Sequence, residues 1–330
     1  MKGNMDINVK ARIEAWRIAI SQHLHNPSFN TDPVYLSEPM NYALRAEGKM
    51  LRPALCLAAA EAVGGDWHNA VTVGAALEIF HTFTLVHDDI MDGDELRRGI
   101  PTLHKAFGNN RALLSGDTLL IYVYQLLADI EASKFTRVFR VFNDGAMDVC
   151  RGQGWDMEFE NSEHVEPQQY EMMIDLKTGA LIRLACHLGG IMGGGSDAAI
   201  EALSRFGVLL GRAFQMQDDL LEVTSSSATM GKSLGSDVLN EKKTWIWIDL
   251  KSRLTESELK EWQNVQNGGQ LAEHHRDQVK QWMIDHGTIK RAQDLIASWI
   301  SEADSLLSSS LFKNTDMLKV LSDNILNRQN

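Results

Sequence analysis

The stretch from Ala75 to Gly99, AALEIFHTFTLVHDDIMDGDELRRG, stays mostly apolar as far as Val86 and then turns abruptly acidic. Read as a helix, it sets Asp88 and Asp92 one turn apart on the same face, with Asp89 about 100° round from Asp88. Such a triplet can grip cations. The apolar residues before it make it the end of a buried helix, where like charges without a counter-ion are costly. Taken singly, the triplet also fits a solvated acidic helix end. An EF-hand is excluded: with Asp88 first, position 3 is Ile90 and position 12 is Gly99, so required oxygen ligands are missing.

The run Phe214 to Glu222, FQMQDDLLE, repeats the pattern, with Asp218 and Asp219 followed one turn later by Glu222. Magnesium is usually held by one or two carboxylates together with substrate phosphates and retained waters. Two acidic ridges facing each other would therefore suit a metal-bridged diphosphate. Basic groups stand near these motifs: Lys49 and Arg52 in Gly48 to Pro53, Arg97 with Arg98, Lys177 before Thr178 and Gly179, Lys232, and Lys242 with Lys243. Arginine forks and lysine point charges both bind phosphate oxygens.

Working outward, apolar residues recur at three- and four-residue spacing, as in Ala54 to Ala58 with Ala62 and Val63, and Leu181, Ile182, Leu184, Ala185 and Leu188. Period-two runs are nearly absent; the best, Thr244 to Ile248, is too isolated for a sheet. The chain therefore reads as all-α, a single domain over residues 1–330 with roughly ten or more helices. Breaks are expected at Gly64 to Asp66, at Gly189 and Gly190 with Gly193 to Gly195, at Ser225 to Ser227, and at Gly268 and Gly269.

The 330 residues are 44% hydrophobic and 23% charged, ordinary globular usage. A formal charge of −12 argues against nucleic acid or an anionic membrane as the main partner. The three cysteines, Cys56, Cys150 and Cys186, have no metal-ligand spacing and fit buried side chains in a reducing compartment. With no signal-peptide core at the start, the expected location is the cytoplasm. The apolar run Thr118 to Ala128 is too short to span a bilayer, and no membrane span is expected.

Together these motifs closely resemble the trans-isoprenyl diphosphate synthases, the polyprenyl synthetase family. The resemblance rests on Asp88 to Asp92 running into Leu96 to His104, on Phe214 to Glu222, and on Gly48 to Pro53. It adds Gly152, Gln153 and Asp156, Lys177 to Gly179, Gly231 with Lys232, Asp237 ahead of Lys242, and Leu321 to Arg328. It implies an all-α orthogonal bundle with a deep cavity, acting as a homodimer. The activity implied is condensation of isopentenyl diphosphate with an allylic diphosphate, with magnesium as cofactor, about three ions per site. Asp88, Asp89, Asp92, Asp218, Asp219 and Glu222 are the implied metal ligands. Arg97, Lys177, Lys232 and Lys242 would neutralise the allylic diphosphate. Lys49, Arg52, His81 and Arg98 would bind isopentenyl diphosphate, while Thr178 and Gln215 would line the reacting region.

The sequence departs from the family pattern at Glu222, which stands in place of the usual aspartate. Met50 and Glu47 replace the usual arginine and glycine, and Glu241 replaces a glycine before Lys242. In this family the residues before the first motif floor the product tunnel. Here these are Phe83, Thr84 and, further up, Phe80. One bulky ring and no insertion within Asp88 to Asp92 point to a C20 product, with C15 close behind. A class I terpene cyclase would not need Lys49, Arg52 and Arg98, and a non-catalytic subunit would not need both acidic motifs.

Overall fold

The structure is a computed structural model that describes residues 2–25, 33–45, 48–160, 162, 164–224, 243–267 and 273–326. The helices run in the order α1 (Lys2–Leu24), α2 (Val34–Arg45), α3 (Leu51–Ala62), α4 (Val71–Asp92), α5 (Leu103–Phe107), α6 (Asn109–Ala128), α7 (Ala132–Glu160) and α8 (Pro167–Ile174). A π-helical turn, Asp175–Gly179, leads into α9 (Ala180–Met192). Then follow α10 (Asp197–Thr224), α11 (Trp245–Lys251), α12 (Glu256–Asn267), α13 (Glu273–Asp285), α14 (Thr288–Leu307) and α15 (Asp316–Leu326). The all-α expectation holds. Among the described residues the one exception is a two-stranded antiparallel hairpin, β1 (Leu96–Arg97) with β2 (Ile100–Pro101), in which Arg97 pairs with Ile100.

The period-two run is helical, in keeping with the all-α reading, and one expected break falls elsewhere. Thr244 to Ile248 is a helix start: the Thr244 hydroxyl accepts the Trp247 N–H and caps α11. Gly189 and Gly190 lie inside α9 instead of at a break, which falls after Met192. Gly189 is there because α9 lies directly on α3, where a Cβ would come within 2.1 Å of the Cys56 carbonyl oxygen. The expected breaks at Ser225 to Ser227 and at Gly268 and Gly269 lie outside the described residues.

The chain forms two compact units, each discontinuous in sequence. The first comprises Met1–Gly145, Leu181–Gly207 and Leu306–Leu321, and the second Ala146–Ala180, Val208–Ser305 and Ser322–Asn330. In the first, α4 packs against α1, α3 and α6 around Leu55, Leu57, Leu77, Ile79, Phe80, Leu119 and Phe142, all at most 1% exposed. The second is cored by Met216, Trp247, Leu250, Val279 and Met283, with the Trp247 and Trp262 rings 5.0 Å apart.

The segment Trp67–Asp92, and not Thr118 to Ala128, is long and apolar enough by composition to cross a membrane. Its apolar 18-residue stretch is 61% buried within the protein, as a core helix is. Cys56 and Cys186 are buried as expected, but Cys150 is exposed on α7. Burial pushes the Cys186 thiol up to about 12.

Candidate active site

In the first unit, Asp88, Asp89 and Asp92 occupy the last turn of α4. That is the negative end of the helix dipole, where the unpaired carbonyls favour cations and disfavour carboxylates. Arg97 answers part of this charge. Its Nε donates to Asp89 Oδ1 at 2.5 Å, and its Nη2 lies 3.5 Å from Asp94. Asp89 is only 4% exposed. Burial pushes its carboxyl up, Arg97 pulls it down, and Asp94 and Asp88 add to the upward push. Asp88 is half-buried and Asp92 exposed, so these two are the more accessible members of the triplet.

The hairpin turns on Arg98 (φ 54°) and Gly99 (φ 79°), the two-residue turn with both central φ angles positive. Among the described residues the non-glycine positive φ angles are those of Arg98 and of Met50 (φ 46°), which precedes α3. Such backbone strain persists where the surroundings over-determine it, commonly at functional sites. The two residues belong to one cluster, because the Arg98 guanidinium lies over Gly48, 2.8 Å from where a Cβ would stand.

His81 sits against this cluster. Burial, and then the charges of Arg52, Arg98 and Arg97, hold its imidazole well below the ordinary value, so it is neutral. Its Nδ1 is buried and meets no hydrogen-bond partner among the described residues. Glu78, one turn earlier on α4, is buried as well; burial raises its carboxyl while Arg52 and Arg98 lower it. Beside the cluster opens a small pocket lined by Thr82, Asp89, Arg97, Arg98 and Thr102 among others. Converging guanidinia around a neutral imidazole are suited to an anion with several oxygens. Lys49 is exposed at the start of this loop.

One turn before the acidic triplet, the half-buried Phe83 ring lies 5.5 Å from Phe80 and 4.7 Å from His87. Phe80 also meets Phe142 at 5.3 Å. The Thr84 hydroxyl donates to the His81 carbonyl oxygen at 2.8 Å.

In the second unit, Asp218, Asp219 and Glu222 fall in the closing turns of α10, again at the negative end of a long helix. Asp219 is buried and both its oxygens are engaged: Oδ2 accepts from the Tyr170 hydroxyl and Oδ1 from Gln215 Nε2 at 2.9 Å. Gln215 Oε1 in turn accepts the Thr178 hydroxyl at 2.7 Å. Burial and then the Asp219 charge push the Tyr170 phenol well above its ordinary value, so it remains a donor.

Thr178 and Lys177 stand on the π-helical turn, a rare local winding that recurs at functional sites. The turn is pressed against α7, where a Cβ on Gly152 would lie 2.2 Å from the Lys177 backbone nitrogen. Lys177 Nζ pairs with Asp156 Oδ2 at 2.5 Å, and Arg212 grips Asp175 with two hydrogen bonds of 2.7 and 2.6 Å. Among the described residues, no group of three or more His, Cys, Asp or Glu side chains forms a metal cage on its own.

The structure thus brings together, within one unit, Arg52, His81, Asp89, Arg97 and Arg98, and within the other Lys177, Thr178, Gln215 and Asp219. Lys232 and Lys242 lie outside the described residues. Sequence reasoning missed Tyr170. Its signals were its place seven residues before Lys177, on the same helical face, and the capping box of Glu166 with Gln169 that starts α8.

Comparison with known proteins places the chain in a family. The polyprenyl synthetase family matches residues 33–283. A geranylgeranyl diphosphate synthase of Methanosarcina mazei is 39% identical over 221 residues, 66% of this chain and 68% of that protein. The crystal structure of geranylgeranyl pyrophosphate synthetase from Pyrococcus horikoshii superposes with a TM-score of 0.89 at 32% identity, covering 98% of this chain and 100% of the other. A polyprenyl synthase from Caulobacter crescentus, crystallised with calcium and isoprenyl diphosphate, superposes at 0.84 and 25% identity over 97% of this chain and 96% of its own. With a family match across most of its length, the chain belongs to the polyprenyl synthetase family.

Proposed function

We propose that this chain is a trans-prenyltransferase that condenses isopentenyl diphosphate with an allylic diphosphate to give geranylgeranyl diphosphate. The observation that carries the reading is the cluster of Arg52, Arg97, Arg98 and neutral His81, set beside an acidic triplet at the negative end of α4. A cyclase, which takes no isopentenyl diphosphate, has no use for a second anion site of this kind. The names of the relatives support the C20 product, and the Phe83 ring supports a short chain.

The donor set fits magnesium: hard carboxylate oxygens at two helix ends whose dipoles favour cations, too few at either for a protein cage and so completed by phosphate oxygens and water. Asp88 and Asp92 in the first unit, and Asp218 and Glu222 in the second, are the carboxylates proposed to hold magnesium ions. Asp89 and Asp219, buried and hydrogen-bonded, orient Arg97 and Gln215. When bound, magnesium would neutralise the diphosphate and ease its departure. Arg52, Arg98 and Lys49 hold isopentenyl diphosphate, with His81 as a neutral donor that adds no charge. Lys177, held by Asp156, is aimed at the allylic diphosphate. No side-chain nucleophile is required, because the rate rests on charges fixed in place before ionisation.

We further propose that the protein works as a homodimer in the cytoplasm. Supporting the dimer, Leu113, Leu114 and Ile121 on α6 and Phe139 on α7 are exposed apolar side chains on the first unit. The deciding assay supplies labelled isopentenyl diphosphate with dimethylallyl, geranyl or farnesyl diphosphate and magnesium. Incorporation into a C20 product that stops on chelation is expected. Turnover of the allylic diphosphate alone would overturn the reading in favour of a cyclase.

A further inference from the structure

Tyr170 begins a one-way chain of hydrogen bonds that ends at the Thr178 hydroxyl. The phenol hydrogen of Tyr170 is directed to Asp219 Oδ2. An ionised carboxylate only accepts. Gln215 must therefore turn its amide NH2 to Asp219 Oδ1 and its carbonyl oxygen to Thr178. The single Thr178 hydroxyl hydrogen goes to that carbonyl, so towards anything else Thr178 can offer only lone pairs.

We propose that Tyr170 is a positioning residue, and that the Tyr170–Asp219–Gln215 chain fixes the Thr178 hydroxyl with its negative end towards the electron-deficient carbon of the allylic substrate. The inference rests on the prenyltransferase reading and deepens it. A dipole set this way needs no reorganisation when positive charge develops, which is where preorganised polar groups contribute most. Left unfixed, the same hydroxyl could turn its hydrogen towards that charge. Asp219 has its place in the chain because it is an obligate acceptor with both oxygens used, and the π-helical turn pressed on Gly152 sets where Thr178 stands.

The test is a double-mutant cycle on the full-length protein, assayed with geranyl diphosphate, isopentenyl diphosphate and magnesium. Tyr170→Phe keeps the ring volume and should lower kcat about tenfold or more, with KM for both substrates within about twofold. Thr178→Val should lower kcat similarly, and Tyr170→Phe should add nothing in the Thr178→Val background. Asp219→Asn can reverse the chain by donating to Gln215. It should lower kcat, add nothing to Thr178→Val, and leave the magnesium dependence unchanged. If Tyr170→Phe does not fold, the Asp219→Asn cycle carries the test. Additive losses in an active protein overturn the chain, and a shifted magnesium dependence in Asp219→Asn overturns it by making Asp219 a metal ligand. A wild-type protein with no prenyl product refutes the underlying reading instead.

Discussion

Single side chains at this site act through what they touch. Phe83 is wedged between Phe80 and His87, five residues before Asp88 on α4, and its ring is proposed to block a growing prenyl chain. Phe83→Ala, incubated with farnesyl and isopentenyl diphosphates, should give products longer than C20 on chromatography; an unchanged length would remove Phe83 from the argument. Gly152 acts by having no side chain. A methyl group there would collide with the Lys177 backbone nitrogen and push the π-helical turn away from α7. Because a displacement near 1 Å at a reacting centre can cost about a hundredfold, Gly152→Ala should depress kcat by about tenfold to a hundredfold. Its circular dichroism should match the wild type, and full activity would mean that the turn tolerates the shift.

Among elements, both acidic motifs close long helices, and this much was legible in the sequence: the apolar run before Asp88 and the three- and four-residue periods fix helix and register. What could not be read were features decided by partners distant in sequence. Thr244 to Ile248 looks like a strand by residue type, yet the Thr244 hydroxyl and the burial of Trp245, Ile246 and Trp247 make it α11. The same α11 carries a buried structural carboxylate, Asp249. Burial alone would raise the Asp249 carboxyl, but Arg291, Thr288 and Arg253 outweigh it and hold it below its ordinary value of 3.8. A depressed carboxylate stabilises the fold fully above the unfolded value, and that contribution is lost as the pH falls through the folded one. Arg291→Met should therefore cost about 2–3 kcal/mol at pH 7 by urea unfolding, towards the lower end because Arg291 is one-third exposed. The deficit should shrink below pH ~4, where a protonated Asp249 needs no counter-charge. A deficit independent of pH would assign the loss to packing.

For the molecule as a whole, the motifs pointed to the family, while the connections that give them geometry did not show in the sequence. Tyr170 and Asp219 are 49 residues apart, and neither helical periodicity nor motif spacing links positions at that distance. The same holds for surfaces. The residues of α6 alternate between a buried side, with Leu119, Val123 and Leu127 all fully buried, and an outward side where Leu114 is 47% and Ile121 58% exposed. Exposed β-branched and leucine side chains a helical period of seven apart form a stripe that a second copy could cover, and a two-fold axis would lay it against itself. A charge placed in such a seam would face its own copy across the axis. Ile121→Arg should therefore convert a dimer to a monomer in size-exclusion chromatography with light scattering, while the circular dichroism melt of the variant reports an intact fold. A folded Ile121→Arg protein that stays dimeric would move the seam away from α6, and a wild-type protein that elutes as a monomer at micromolar concentration would rule out the homodimer.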